Sequence, residues 1–470
     1  IKQIPYTIIE GDTPKYRDSI ERERNIVRAR VRLAMNLDLH AQCGDHFIDD
    51  MDLDTLGTRR VSQDMVKVIP SACEACEEKS FFVTNSCHGC LAQPCISVCP
   101  VKATSIKNGQ SYIDQEACIK CGKCFDVCPY GSIIKNERPC NAACGVNAFT
   151  KDEQDRAVII SEKCVGCGQC MVSCPFGAIM DKSEIYQVVD SFRKNEQISA
   201  IIAPAFVGQF GDKVTPEQVI EGLFLLGFTD VKEVAYGADV TAVDEAKHYL
   251  KHVPVDQPFL ATSCCPAWLL MAQGELKEKA YCISPSSSPM IETATAIRKK
   301  YPDTKIVFVG PCSAKKLEAT FADVSKSVDY VLTFEEVNAM FHSRGIVLED
   351  LVVVHEFGDA SFDGRGFAIS GGVAAAVENV IRRLDPDRVV KMEKAEGLSN
   401  CKTMVLMAKA GKRDGYLLEG MACPGGCVGG AGTIVNQNKS AKHVQNYSRS
   451  SEKSSALKTV EAFNIDMTKF

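Results

Sequence analysis

No run of about 18 apolar residues occurs anywhere in the chain, so no segment reads as a membrane-spanning helix. The opening residues, IKQIPYTIIEGDTPKY, lack the basic and then apolar order of a secretory leader. Together these absences lead us to expect a soluble, cytoplasmic protein that touches no membrane. Cationic residues are not in excess either: 54 Lys and Arg stand against 60 Asp and Glu, a net charge of −6. That balance argues against nucleic acid as a partner, because phosphate backbones are bound by clustered Lys and Arg.

What the chain has in abundance is cysteine, 24 in 470 residues. Disulfide-dense domains are short and secreted, whereas cysteine enrichment in a long chain without a leader points to metal binding or catalysis. Sixteen cysteines crowd into residues 73–174, seven spread over 264–427, and Cys43 stands alone upstream. We expect three regions: an N-terminal helical segment (1–70), a cluster-binding region (71–185) and a larger domain with a C-terminal tail (186–470). In the first, PKYRDSIERERNIVRARVRLAMNL (14–37) places Ile20, Val27, Val31 and Leu33 at near-helical spacing after a Thr13–Pro14 start signal. Cys43 and His46 follow at i and i+3 with no further local partner and read as structural.

Two runs, CIKCGKCFDVCP (Cys118, Cys121, Cys124, Cys128) and CVGCGQCMVSCP (Cys164, Cys167, Cys170, Cys174), have the CxxCxxCxxxCP spacing of bacterial ferredoxins. In that pattern three thiolates hold one iron–sulfur cube and the fourth, fixed by its proline, reaches another. A third run, CHGCLAQPCISVCP, supplies Cys87, Cys90, Cys95 and Cys99, and the connection VKATSIKNGQSYIDQEA reads as strand, Asn-Gly turn and strand. The first unit is then Cys87, Cys90, Cys95 and Cys128 on one cube, with Cys118, Cys121, Cys124 and Cys99 on the other. In the second unit Cys144 joins Cys164, Cys167 and Cys170, while Cys140 and Cys174 need two more ligands. The unused pair is Cys73 and Cys76 in CEAC, which as sequence reads equally as a buried pair or a separate metal clip. Four [4Fe-4S] cubes would form a path for single electrons. His88, inside a ligand loop, is expected beside the first cube rather than on it.

From about residue 195 the texture changes. Short apolar runs (QISAIIAPAF, KEVAYGADV, PFLATS, KIVFVGPC, DYVLTF, DGYLLEGMAC) alternate with helical patterns such as PEQVIEGLFLLGF and GGVAAAVENVIRRL, as in parallel α/β sheets. Several cysteines follow the strands at once, where such sheets bind ligands. Cys265, Cys312, Cys423 and Cys427 make four thiolates for one more cube. The last two, at i and i+4, share a face if the turn is helical, and Gly425, Gly426, Gly429 and Gly430 would let backbone approach a cofactor. Beyond Gly432 the Ser- and Lys-rich tail reads as a surface or docking segment.

TSCCPAW, GPCSAKK and MACPGGCVGG resemble, in order, the three signature segments of the [FeFe]-hydrogenases. With the ferredoxin-like runs, the resemblance covers roughly residues 70–435. It implies an α/β H-cluster domain of two parallel-sheet lobes, preceded by α+β ferredoxin-like cluster units. The implied cofactor is a [4Fe-4S] cube on Cys265, Cys312, Cys423 and Cys427, joined through Cys427 to a two-iron unit with CO, cyanide and azadithiolate. Its neighbour Cys264 would remain a free thiol that passes protons. By the same resemblance Glu245 and Ser284 continue the proton path, Ser288 and Lys315 meet the cyanides, and Ala203, Pro204, Ala205 and Met421 line the cofactor. The implied activity is reversible interconversion of H2 with protons and electrons. The implied partners are a ferredoxin or similar small redox carrier and the maturation proteins that load the two-iron unit.

Departures accompany the match: His248 stands where prototypes carry a second acid, and the chain has PAW for PGW, GPC for MPC and GGAGT for GGGQP. Cys282 and Cys401 are left over as buried, inert thiols. Rival readings are a Nar1-like iron–sulfur assembly scaffold, a hydrogen sensor and a plain multi-cluster carrier. A scaffold needs no proton relay, a sensor calls for a signalling domain, and a plain carrier leaves the α/β half unexplained.

Overall fold

The computed structural model describes residues 1–39, 64–355, 357–358 and 360–462; Cys43 and His46 lie outside them. Near the N-terminus helix α1 (Ile20–Ala34) begins with its first periodic residue, later than the Thr13–Pro14 start signal suggests. Ser19 is its cap, accepting from Arg22 N at 3.3 Å. Residues before it are held off the helical path by Glu23, whose Oε1 accepts from the backbone N–H of Lys15, Tyr16 and Arg17 at 2.8, 2.6 and 2.9 Å. Ile26, Ala29 and Leu33 bury the helix's apolar face against Ile69, Ala72 and Ala178.

The cluster region is a set of two-stranded antiparallel ribbons. Thr104–Lys107 pairs with Gln110–Ile113 through the expected Asn108–Gly109 turn, both residues at positive φ (52° and 77°). Ser80–Val83 pairs with Ile133–Asn136 around it. A second nest has the same plan: Phe149–Lys151 pairs with Ala157–Ile159, and Val66–Val68 pairs with Ile179–Asp181 around that ribbon. The first unit is therefore inserted within the second, between its opening strand and its remainder. Strand Val66–Val68, placed by the sequence reading in the N-terminal helical segment, belongs to this second unit.

Downstream, seven strands of the described residues form two parallel sheets: β1 (Ile198–Ile202), β2 (Asp230–Glu233), β3 (Phe259–Ala261), β4 (Lys305–Gly310), β5 (Tyr330–Thr333), β6 (Lys391–Glu396) and β7 (Tyr416–Met421). The orders are β2-β1-β4-β5 and β3-β7-β6, every pair parallel. β1, buried at every position, is central and lacks alternation because both its faces are covered. Helices α2 (Ala235–His252), α3 (Pro266–Leu276), α4 (Pro289–Lys300), α5 (Ser313–Glu318), α6 (Phe334–Ser343) and α7 (Gly372–Leu384) supply the crossovers and the packing between lobes.

The tail is not a loose surface segment. Helices α8 (Gln437–Arg449) and α9 (Ala456–Ala462) bury Val444, Tyr447, Leu457 and Val460 in the two lobes' cores. Gln209 Nε2 donates to Ser440 Oγ at 2.9 Å, and Ala456 N donates to Asp363 Oδ2 at 3.0 Å. No helix of the described residues is long and apolar enough to cross a membrane.

Lys316 ties the cluster region to the first lobe. Its fully buried ammonium pairs with Asp181 at 2.9 Å and Glu336 at 2.8 Å and donates to the Lys182 carbonyl at 2.9 Å. Burial alone would favour the neutral amine, but the two carboxylates outweigh it and hold the ammonium charged. We expect Lys316→Met to leave two buried carboxylates uncompensated and to lower stability by about 3 kcal/mol. Adding Asp181→Asn and Glu336→Gln should recover much of that loss. Denaturant unfolding of the three proteins checks this.

Candidate functional site

Each strand of a parallel sheet ends where a loop turns back into a helix, and here several such ends from both sheets face one cavity. β1 delivers Ala203, Pro204 and Ala205, β3 delivers Cys264 and Cys265, β4 delivers Cys312, and β7 delivers Met421, Cys423 and Cys427. Lys315 on α5 completes the ring. The cavity is about 80 Å³ and its lining is almost wholly apolar apart from the sulfurs and Lys315.

The neighbouring cysteines do diverge in their surroundings. Cys265 stands at the N-cap of α3, where the backbone N–H groups of Ala422, Trp268 and Ala267 offset part of the rise that burial gives its thiol. Trp268 is fully buried and donates from Nε1 to the Thr262 carbonyl at 2.8 Å, holding the loop that presents both thiols. Cys264 differs: burial pushes its thiol well above the ordinary value, and Glu245 is the charge that adds most to that rise. Burial likewise raises Cys265, Cys312 (to about 12), Cys423 and Cys427, each further by neighbouring thiols except Cys265. Four desolvated thiols held together cannot all ionise by themselves; iron supplies the compensating positive charge. The donor set therefore fits a cube.

Behind Cys264 lies Glu245, fully buried on α2. Its Oε1 accepts from Ser263 N at 3.2 Å, and the Ser263 and Ser284 hydroxyls face the same carboxyl. Burial outweighs these hydrogen bonds and lifts the carboxyl to about 7. Ser288 Oγ, also buried, has no hydrogen-bond partner and directly precedes Pro289 and Met290, which line the cavity. Lys315 pairs with Glu318 at 2.6 Å and donates to the Cys264 carbonyl at 3.4 Å.

Two expectations change. Cys423 and Cys427 do not share a helical face, because a turn joins them and a 3-10 helix begins only at Cys427. Of the glycines around them, Gly426 (φ +94°), Gly429 and Gly430 are required by neighbouring backbone: a Cβ would lie 2.6 Å from Ser370 N, 2.1 Å from the Pro424 carbonyl and 2.3 Å from the Pro311 carbonyl. Gly426 and Gly430 line the cavity as well.

Sequence reasoning missed Phe308 and Glu419. A Cβ at Gly310 would sit 2.4 Å from the Phe308 ring, which itself lines the cavity, so GPC makes room for an aromatic wall. The signal was there in FVG, two same-face positions of one strand. Glu419 is a fully buried acid within β7, its oxygens accepting from Gly371 N at 2.6 Å and Ala374 N at 2.7 Å at the start of α7. An acid inside YLLEGM was the clue.

In the cluster region Cys73, Cys76, Cys140 and Cys174 surround one cavity, bringing CEAC to the pair that lacked partners. Cys87, Cys90, Cys95 and Cys128 surround another, with His88 tilted against Tyr130 at its edge (4.3 Å between ring centroids). Burial raises Cys164, Cys167 and Cys170, with Cys144 close enough to add to each, and burial raises Cys124, with Cys118 and Cys121 adding to it. Cys99 accepts from Ala103 N at 3.3 Å. No three His, Cys, Asp or Glu side chains among the described residues close round a single ion. These sets enclose spaces, as a cube wider than one ion requires. Cys167 also faces Cys265 and Cys423, and Gly168 fits where a Cβ would lie 2.5 Å from that of Ala431. Cys282 and Cys401 are fully buried outside the cavity.

Comparison with known proteins agrees with this arrangement. The family "Iron only hydrogenase large subunit, C-terminal domain" matches residues 196–431, "LdpA Fe-S cluster-binding domain" 134–185 and "4Fe-4S binding domain" 111–134. Iron hydrogenase 1 of Clostridium pasteurianum is 29% identical over 50% of this chain and 48% of its own length. The NADP-reducing hydrogenase subunit HndD of Solidesulfovibrio fructosivorans is 28% identical over 67% of this chain and 55% of its own. The chain thus spans about half the length of these relatives. Human nuclear prelamin A recognition factor is 25% identical over 49% of this chain and 61% of its own length. An apo [FeFe]-hydrogenase from Chlamydomonas reinhardtii shares the fold at a TM-score of 0.51 and 20% identity, covering 61% of this chain and 95% of that one.

Two measurements follow from the geometry. Replacing Cys73 and Cys76 together by Ser should cost about four iron atoms per chain, read by iron analysis of anaerobically reconstituted protein; an unchanged count places no cube there. For Glu245 the folded-state value of about 7 stands above the ordinary 4.5. The folded protein therefore keeps a proton that the unfolded chain releases, and this group's contribution to stability falls as pH rises across that window. Glu245→Gln lacks the loss, so its stability relative to the parent should improve from pH 4.5 to 7, by up to about 3 kcal/mol.

Proposed function

The chain belongs to the iron-only hydrogenase family, and from that premise we propose that it interconverts H2 with protons and electrons in the cavity between its two lobes. The observation that carries this reading is the meeting of four cube-forming thiols, a fifth thiol with different surroundings and Lys315 around one apolar space, with a buried carboxyl behind the fifth. Cys265, Cys312, Cys423 and Cys427 would hold the cube of an H-cluster, with Cys427 also joining its two-iron unit. Lys315, Ser288, Met421, Ala203, Pro204 and Ala205 would seat that unit, the orphaned Ser288 hydroxyl and the Lys315 ammonium offering donors to its diatomic ligands. When bound, the H-cluster, with CO, cyanide and azadithiolate on its irons, supplies the redox and H2-binding chemistry.

The chain's own residues supply the proton and electron routes. Cys264 Sγ holds a proton at the cavity wall and exchanges it with the Glu245 carboxyl, assisted by the Ser284 hydroxyl; a carboxyl lifted to about 7 by burial is suited to giving and taking protons near neutral pH. Phe308 and the other apolar walls exclude water. The set Cys144, Cys164, Cys167 and Cys170, which faces the cube ligands, and the sets Cys73/Cys76/Cys140/Cys174, Cys87/Cys90/Cys95/Cys128 and Cys118/Cys121/Cys124/Cys99 would each hold a [4Fe-4S] cube, which when bound would supply a path for single electrons. A ferredoxin or similar small carrier would collect them, and maturation proteins would install the two-iron unit.

The prelamin A recognition factors among its relatives favour a second reading, a scaffold that keeps a cube without the two-iron unit. Infrared spectroscopy of the maturated chain separates the two: carbonyl and cyanide bands are expected, and a cube without them means the scaffold. Cys264→Ala should keep those bands and lose nearly all H2 turnover. Turnover close to that of the parent would remove Cys264 from the proton route.

A further inference from the structure

The inserted ferredoxin-like unit splits one ligand loop. Cys73 and Cys76 precede it, Cys140 and Cys144 follow it, and its outer strands Ser80–Val83 and Ile133–Asn136 pair where the chain leaves and returns. Arg138 stands at the return. Its Nε and Nη2 donate to the Cys76 carbonyl at 2.9 and 2.7 Å, and Nη2 also donates to the Asp155 carbonyl at 2.8 Å. Arg138 is 6% exposed and lines the cavity enclosed by Cys73, Cys76, Cys140 and Cys174. Among the described residues no carboxylate pairs with it. Glu74, the acid on that cavity's wall, is paired instead with Arg22 at 2.8 Å and Arg17 at 3.3 Å.

Helix α1 and the residue Arg17 before it bring more cations to the same loops. Arg22 Nε donates to the Ser71 carbonyl at 2.8 Å, Arg30 Nη2 to the Gly177 carbonyl at 3.2 Å and Arg17 Nη2 to the Phe176 carbonyl at 3.5 Å. The other sets are surrounded differently. No Arg or Lys lines the cavity of Cys87, Cys90, Cys95 and Cys128. Lys120, Lys123 and Lys163, in or beside the remaining ligand loops, are partly or fully exposed, where water and salt screen their charge. Burying a guanidinium away from carboxylates is costly unless another anion compensates it. A cube held by four thiolates is such an anion, and each electron it accepts makes it more negative.

We infer that Arg138, supported by Arg17, Arg22 and Arg30, makes the cube at Cys73, Cys76, Cys140 and Cys174 the easiest to reduce of the four cubes in residues 73–174, and so the place where the first electron to enter them rests. The inference rests on the assignment of cubes to these cysteines, not on the hydrogen chemistry. A fixed, buried cation favours the reduced cube over the oxidised one because the reduced cube carries the larger negative charge, and at low dielectric little screens the attraction. One electron enters, supplied in the test below by dithionite, and no proton moves. Burial raises the Cys76 and Cys140 thiols, and Arg138 is the cation that offsets part of that rise on both. Burial also raises Cys170, and Cys140 adds to it, so this cavity adjoins the set that faces the cavity between the lobes.

The test is a dithionite redox titration of the full, anaerobically reconstituted chain, followed by electron paramagnetic resonance. Cys73→Ser with Cys76→Ser identifies the signal of this cube by removing it. In the parent that signal should appear first among those of the four cubes as the potential falls. Arg138→Gln, with its iron content unchanged, should lower the ratio of reduced to oxidised cube at a given potential at least about tenfold, a downward shift of about 59 mV. Arg138→Lys keeps the charge and should stay near the parent. If Arg138→Gln loses iron, Arg22→Gln takes its place, with a smaller shift of the same sign. A parental signal that follows those of the other cubes, no shift in the neutral variants, or an equal shift in Arg138→Lys overturns the inference while leaving the cubes in place. An unchanged iron content in the double cysteine variant overturns the cube assignment, and the inference with it.

Discussion

Anionic sulfur is expensive to bury, and this chain gathers five cysteine sulfurs in one dry cavity. Burial pushes every one of those thiols up, so the arrangement makes physical sense when positive charge enters the cavity with them. Iron would supply it for the four sulfurs proposed to hold a cube. Lys315, itself neutralised in part by Glu318, is the fixed cation the protein adds at the wall. Cys264 remains outside that compensation and keeps company with a carboxyl instead, which is why it is suited to holding a proton rather than a metal.

The surrounding fold serves to bring those sulfurs together from distant points in the chain. Two parallel sheets place their carboxyl ends toward each other, and each end contributes one or two side chains before a helix carries the chain away. Close backbone approach around Cys423 and Cys427 depends on glycine, because neighbouring carbonyls and N–H groups fill the space a Cβ would need. Outside the lobes the Lys316 ion cluster and the flush contact at Gly168 press the cluster region against the first lobe. Electron transfer between clusters depends on that contact.

Much of this was legible as sequence wherever the chemistry is local. Ferredoxin spacing specifies which three thiolates share a cube, since the ligands sit within one loop. Apolar runs ending in cysteine marked the strand ends, and the Asn108–Gly109 turn was readable from two residues. Phe308 was not, because its role arises from an absent side chain two positions away at Gly310. Nor was the start of α1, which does not follow the Thr13–Pro14 signal because Glu23 binds three backbone N–H groups of the segment before the helix.

What the sequence by itself determined is the inventory: sixteen cysteines crowded into one region, most of them at ferredoxin spacing, a second set at the ends of parallel strands, and an alternating pattern that makes such strands. Those follow from spacing and periodicity, which act over a few residues. Only the tertiary structure decided how the inventory is partnered. The first ferredoxin-like unit is inserted in the second, so Cys73 and Cys76 meet Cys140 and Cys174 across an entire intervening unit. His248 likewise gains Gln257 and His252 beside it only when α2 and the turn after it are folded together. The physical reason is common to both: a ligand set or a side-chain hydrogen bond is a matter of distance in space, and packing, not chain separation, sets that distance.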